Sequence, residues 1–302
     1  MKRLGISMIA GILLMTAAAY SEDNSHIGQG RAVITVLPKS DSDGDPKMGM
    51  ENLKVKVNGK DSSITGWKAL RGPASPLELV LLMDSGSSSS IGTQFAEIAQ
   101  FVKEMPVDTK IAIAYMQNGR AILAGPLTAD GKQLEHELRL PTGPGGINAS
   151  PYFCLSDLAK SWPSSDHTAR RVVLMITDGI NPYDRSFSQD DPYVETAIRD
   201  SLRAGLMVYS VYWHGRGGGN PEAGQNRLLQ VSDSTGGKSY WIGMGNPVSF
   251  NPFFTDLRRC LRNQYALSFA VEGNGKPDFA DLKLRVEGVQ AKVLAPQQVF
   301  VE

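Results

Sequence analysis

Leu77-Glu78-Leu79-Val80-Leu81-Leu82-Met83-Asp84-Ser85-Gly86-Ser87-Ser88 is an apolar run that stops on an acid and small hydroxylated residues. Further along, Arg171-Val172-Val173-Leu174-Met175-Ile176-Thr177-Asp178-Gly179 repeats the pattern. Unbroken Val/Ile/Leu runs of this length read as strands buried on both faces, as a parallel sheet covered by helices requires. An acid at the carboxyl end of such a strand stands at the rim where open α/β sheets bind ligands. Two such acids, in separate strand–helix units, are placed to converge on one cation.

Around these runs the chain alternates between the two periodicities. Apolar spacing predicts helices over 95–102, 131–139, 153–162, 193–204, 227–234 and 252–262, between strands at 110–117, 121–123, 206–212 and 238–242. Alternation of this kind specifies an α/β fold with a doubly wound, mostly parallel sheet and right-handed crossovers. The flanks are different. Short alternating segments at 32–37, 53–57 and 64–67, with Asn58-Gly59 as a hairpin signal, predict a small β unit. Strands at 266–271, 282–286 and 299–301 are expected to join it. The expected organisation is a leader at 1–19, a polar segment at 20–29, a β unit at 30–73, the α/β domain at 74–263 and C-terminal strands at 264–302 packing on the β unit.

The leader reading rests on Lys2 and Arg3, the apolar stretch Ile6–Leu14 and the small residues Ala17-Ala18-Ala19, the plan of an export signal. No Cys follows that stretch to carry a lipid anchor, so the mature protein is expected in the periplasm or outside the cell. The 31 basic and 31 acidic residues balance, and no segment concentrates Lys or Arg. A nucleic-acid or anionic-membrane surface is therefore not expected. Cys154 and Cys260 are open to either a bridge or two buried thiols. With His26, His136, His167 and His214 scattered, no zinc site assembles at ligand spacing.

Several chemistries can be set aside on the residues themselves. Asp84-Ser85-Gly86-Ser87-Ser88 has the outline of an aspartic-protease loop, but Asp178-Gly179 lacks the hydroxyl residue of the second loop such an enzyme needs. A subtilisin-type triad lacks its His and nucleophile segments, and a haloacid-dehalogenase site finds Gly86 where its second acid belongs. Asp41-Ser42-Asp43-Gly44-Asp45 has its glycine misplaced for an EF-hand and no closing Glu. Gly215-Arg216-Gly217-Gly218-Gly219 lacks the Lys and Ser/Thr of a phosphate loop and reads as a flexible loop. Phe250, Phe253 and Phe254 read as helix packing, and Trp213 as partly buried against a helix.

The buried strand ending in Asp84, the hydroxyl at Ser88 and the later Ile176-Thr177-Asp178-Gly179 resemble the von Willebrand factor type A domain, whose adhesion site uses D-x-S-x-S, a Thr-bearing loop and a late Asp-Gly. The resemblance implies Mg²⁺ touched by Asp84 and Ser88, with Asp178 acting largely through water and a partner protein's carboxylate completing the shell. Two positions depart from the pattern. Gly86 stands where the first metal-binding Ser belongs, unless Ser85 or Ser87 shifts register. The Thr-loop position falls in Gly145-Gly146-Ile147-Asn148-Ala149-Ser150-Pro151-Tyr152, with Ser150 as the replacement ligand and Asn148 and Thr142 behind it.

A narrower resemblance, to exported bacterial VWFA-related proteins of the acidobacterial type, is carried by Tyr115–Arg120, Ala149–Phe153, Asp191–Val194, Gly245–Phe250 and Gln264-Tyr265-Ala266-Leu267. The expected function is an exported, non-enzymatic interaction module. Two alternatives are a metal-free scaffold binding through rim aromatics such as Tyr152, Tyr183 and Trp213, and a hydrolase using Asp84 and Asp178.

Overall fold

Both faces of the central strands are apolar because both are covered. A computed structural model describes residues 26–40, 44, 46–141, 143, 150–183, 188, 190–215, 219–273 and 275–301. The expected leader, the acidic 41–45 turn (Gly44 apart), and the candidates Thr142 and Asn148 lie outside the described residues.

In chain order the elements are β1 (His26–Pro38), β2 (Leu53–Val57), β3 (Lys60–Ser62), β4 (Ile64–Ala69), β5 (Leu77–Asp84), α1 (Phe95–Lys103), β6 (Thr109–Gln117), β7 (Arg120–Leu123), α2 (Gly131–Glu137) and α3 (Pro151–Lys160). There follow β8 (Arg170–Thr177), α4 (Pro192–Arg203), β9 (Leu206–Tyr212), α5 (Pro221–Ser234), β10 (Ser239–Tyr240), α6 (Asn251–Arg262), β11 (Gln264–Gly273), β12 (Asp278–Val286), β13 (Ala291–Leu294) and β14 (Gln298–Val301).

Six strands form the central sheet in the order β10-β9-β8-β5-β6-β7. All neighbours are parallel except β6 and β7, which are antiparallel. The β6–β7 turn uses Asn118 and Gly119 at φ 51° and 74°, the left-handed pair that a tight hairpin needs. Strand alternation divides the apolar run between two cores. Leu79, Leu81 and Met83 pack with Ile98, Phe101, Phe254 and Leu257, so α1 and α6 cover one face. Val80 and Leu82 pack with Leu155, Leu158, Val194, Ile198 and Val231, which puts α3, α4 and α5 on the other. This is a doubly wound, mostly parallel α/β sheet.

Both ends of the chain build the remainder. Antiparallel sheets β13-β1-β11-β4 and β14-β12-β2-β3 share one core containing Ile34, Val36, Val55, Leu267, Phe269 and Leu282. The Asn58-Gly59 hairpin joins β2 to β3, and β4 then crosses to the other sheet to pair with β11. The two units are tied by polar contacts. Arg170 Nη1 donates to Gln264 Oε1 at 2.6 Å, and Arg71 Nε donates to Arg262 O at 3.1 Å.

The structure corrects several local expectations. The helix expected from 227 begins at Pro221, where the Asn220 side chain accepts from Glu222 N at 3.0 Å. A cap followed by Pro in the first turn overrides the weaker apolar periodicity of that stretch. β10 shrinks to two residues, α2 stops at Glu137, and β13 is an additional strand. Cys154 and Cys260 are free, fully buried thiols in cores on opposite faces of the sheet. Phe250 and Phe254 are buried as expected, with Phe250 edge-on to Trp213 at 5.4 Å.

Leu81 is fully buried, whereas Leu123 on edge strand β7 is 37% exposed. Urea unfolding of Leu81→Ala is expected to show a loss of about 2–5 kcal/mol. Leu123→Ala is expected to stay within about 0.5 kcal/mol of wild type.

Candidate functional site

The parallel pairing of β5 with β8 sets Met83 opposite Ile176, so Asp84 and Asp178 leave neighbouring strands at the same rim. The Asp84 carboxylate is held from two sides. Gly86 N donates to Oδ1 at 2.7 Å, and Thr177 Oγ1 donates to Oδ2 at 2.7 Å. Thr177 is fully buried and also accepts from Gly179 N at 3.3 Å, so its hydroxyl is fixed in direction. Asp178 Oδ1 accepts from Ile180 N at 2.9 Å.

The loop after β9 closes over this pair. Ser87 bridges to Gly215, Ser88 N donates to His214 O at 3.4 Å, and Trp213 N donates to Thr177 O at 3.0 Å. A Cβ on Gly215 would run into the Asp178 carboxylate, so only glycine lets this backbone approach. Beneath Asp178, Gly179 sits at φ +66° against Gly224 of α5, whose own Cβ would strike the Asp178 carbonyl. His214 N reaches Asn246 Oδ1 at 2.6 Å, drawing the segment after β10 into the same rim.

Of the expected ligands, Asp84 and Asp178 are together. Ser88 is adjacent but engaged: its hydroxyl caps the short 3-10 turn Ser89–Gln94, accepting from Ser90 N at 3.4 Å and Ser90 Oγ at 2.9 Å. Ser150 is the N-cap residue of α3, whose first turn meets the rim where Tyr152 OH donates to Gly179 O at 2.7 Å. The Ser150 hydroxyl is fully buried and makes no hydrogen bond among the described residues; the same holds for Ser87. At the first Ser position, Gly86 offers only its N–H, which Asp84 takes.

Burial raises both carboxyl groups above the ordinary aspartate value. For Asp84 the Thr177 and Gly86 hydrogen bonds oppose this rise. Asp178 is pushed up to about 7, first by burial and then by the Asp84 charge, against the hydrogen bonds from Ile180 and Gly215. The pair is thus an all-oxygen, excess-negative cluster with buried hydroxyls close by. That donor set suits a hard divalent cation taking about six oxygens. Among the described residues no group of three or more His, Cys, Asp or Glu is arranged to hold a metal. Any cation here would depend on the hydroxyls.

Two residues were not anticipated. Thr177 belongs to the site because the β5–β8 register sets it beside Asp84, a placement that the Thr-Asp-Gly string does not announce. Gly215, read as part of a flexible loop, is the close backbone approach to Asp178. Trp213 is buried, in line with its reading as helix packing, and Tyr152 is fully buried, so neither is the exposed rim aromatic that the metal-free alternative calls for. Instead Phe153, Tyr183 and Tyr193 cluster with ring centroids 4.9–5.8 Å apart, and Tyr183 is 48% exposed.

No protein-family model matches the chain, and no curated protein matches it. Solved structures similar to it include an aerotolerance-related membrane protein from Bacteroides fragilis, at 14% identity and TM-score 0.45, covering 61% of this chain and 98% of that one. BatB from Bacteroides thetaiotaomicron is similar at 13% identity and TM-score 0.44, covering 61% and 97%. Proximal thread matrix protein 1 of the mussel byssus, with a zinc-occupied MIDAS motif, is similar at 16% identity and TM-score 0.44, covering 69% and 50%. Among the described residues no helix is long and apolar enough to cross a membrane.

An acid whose folded value is raised binds more protons when folded than unfolded between the two values. Its contribution to stability is therefore complete below about 3.8 and is lost as pH rises toward 7. Thermal melts in divalent-free buffer should show Asp178→Asn more stable than wild type at pH 8, with the advantage gone at pH 4. A constant difference across that range would contradict the raised value.

Proposed function

We propose that the chain is an exported protein-interaction module of the adhesion type, whose rim captures a partner's carboxylate through a divalent cation. The reading takes residues 74–263 as the binding domain, flanked by one β-rich unit from 30–73 and 264–302. It takes the chain as a relative of the exported VWFA-related proteins, on the quoted motif segments. In this reading Asp84, Asp178, Ser88 and Ser150 hold Mg²⁺. The cation supplies the charge that lets two carboxylates and a third from the partner share one desolvated contact.

The observation that carries the reading is Asp84 and Asp178 at one rim, both with raised proton affinity, together with the buried hydroxyl of Ser150 at the start of α3, which meets no acceptor or donor among the described residues. Gly86 removes one hydroxyl from the shell, so the affinity should be weaker than a complete set would give. The alternative of a metal-free scaffold draws support from the exposed ring cluster Phe153, Tyr183 and Tyr193, which would grip a partner with or without a cation. For hydrolysis, the Cys154 thiol offers no nucleophile, because burial pushes it up to about 12.

Calorimetric titration of the chain with Mg²⁺ and Mn²⁺ tests the proposal. Heat is expected for wild type, none for Asp84→Ala, and binding tightened severalfold for Gly86→Ser. Absence of heat in wild type and Gly86→Ser alike would remove the cation from the account. Turnover of a phosphoester or peptide panel, lost in Asp84→Ala, would favour the hydrolase.

A further inference from the structure

At the opposite end of the central sheet from the acidic rim, a groove of about 680 Å³ runs between the amino ends of β8 and β9 and the β-rich unit. Arg31, Arg170, Arg171, Arg203 and His167 line it, and among the described residues no Asp or Glu does. These cations come from four separate elements or loops, which is why no basic segment is visible along the chain.

Among the described residues Arg31, Arg170 and Arg171 form no ion pair, while Arg203 pairs with Asp200 and lies over the Phe279 and Phe300 rings. Among the described residues Arg170 donates to neutral acceptors: Leu261 O, Gln264 Oε1 and Ser75 O at 3.3 Å. Its Nε is buried and meets no acceptor among the described residues, and the same is true of Arg171 Nε. Arg171 Nη2 donates to the carbonyls of Ser164 and Asp166, both at 3.3 Å, and the guanidinium lies 5.8 Å from the centre of the Trp162 ring. Glu78, its neighbour in register on β5, accepts from Trp162 Nε1 at 2.7 Å. Arg203 shares the Asp200 carboxylate with Lys160, so two cations meet one acid. Arg31 is exposed and donates to Gln29 Oε1 at 3.3 Å. Burial draws the Arg170 guanidinium down from its ordinary value, with Tyr209 and Asp108 acting the other way.

We infer that this groove binds a phosphate-bearing small ligand. Guanidinium groups present planar pairs of N–H donors that match the oxygens of a phosphoryl group, and several around one cleft select for multiple negative charge. Val33, Leu70, Leu202 and Met207 in the same lining give the uncharged body of such a ligand an apolar wall. The site is independent of the cation rim and needs nothing from Asp84 or Asp178.

The test is calorimetric titration of the full chain with inorganic pyrophosphate, in divalent-free buffer at constant ionic strength. A saturable isotherm is expected, weakened at least fivefold by Arg31→Gln, a substitution at an exposed side chain that leaves the fold intact. Lys54→Gln, a distant surface change, and Asp84→Asn, in the rim, should leave it unaltered. No isotherm, an isotherm indifferent to Arg31→Gln, or equal heat from sulfate at the same ionic strength would each overturn the inference.

Discussion

The 2.7 Å hydrogen bond from Thr177 Oγ1 to Asp84 Oδ2, made across two neighbouring parallel strands, is the contact on which the rim depends. It exists because β5 and β8 are paired in a register that lets one strand end on an acid where its neighbour ends on a threonine. It also makes Asp178, the next residue, face the same opening. Two carboxylates this close repel, and burial adds to the cost of ionising both. A fold that keeps them there without a counter-charge gives up stability near neutral pH. A cation would recover it, which is the physical link between the geometry and the function inferred from it.

The surroundings hold that arrangement from below. Asn181, just past the acid loop, donates Nδ2 to Asp191 Oδ2 at 2.9 Å, and Arg227 Nε lies 3.3 Å from the same oxygen. All three residues are fully or almost fully buried. Asp191 also caps α4, accepting from Tyr193 N at 3.0 Å. A buried ion pair of this kind adds little net stability over an apolar replacement, but breaking one partner is costly. Its effect here is positional: it pins the loop after β8 to α4 and α5, and so fixes where Asp178 leaves the sheet.

Much of the architecture was legible in the sequence. The unbroken runs before Asp84 and Asp178 marked strands covered on both faces, and Asn58-Gly59 marked a hairpin through a left-handed backbone requirement. What stayed hidden depended on partners distant in the chain. Thr177 acquires its role only through strand register, and Gly215 through a backbone approach from another loop. Tyr152 looks like a rim aromatic in one dimension and proves to be core. Arg31, Arg203 and the adjacent pair Arg170-Arg171 are far apart along the chain and line one groove only after folding. The α5 start was readable locally, since Asn220 and Pro221 are a cap and first-turn pair.

The central claim is that Asp84 and Asp178 form one interacting pair, in which burial and the Asp84 charge favour a proton on Asp178 until a cation takes its place. The most direct measurement is the titration of the aspartate side-chain carboxyl carbons by NMR, with Asp178→Asn used for assignment. The account expects the Asp178 signal to titrate near pH 7 in divalent-free buffer and to move to lower pH when Mg²⁺ is added. Both aspartates titrating near 4, unchanged by Mg²⁺, would contradict it.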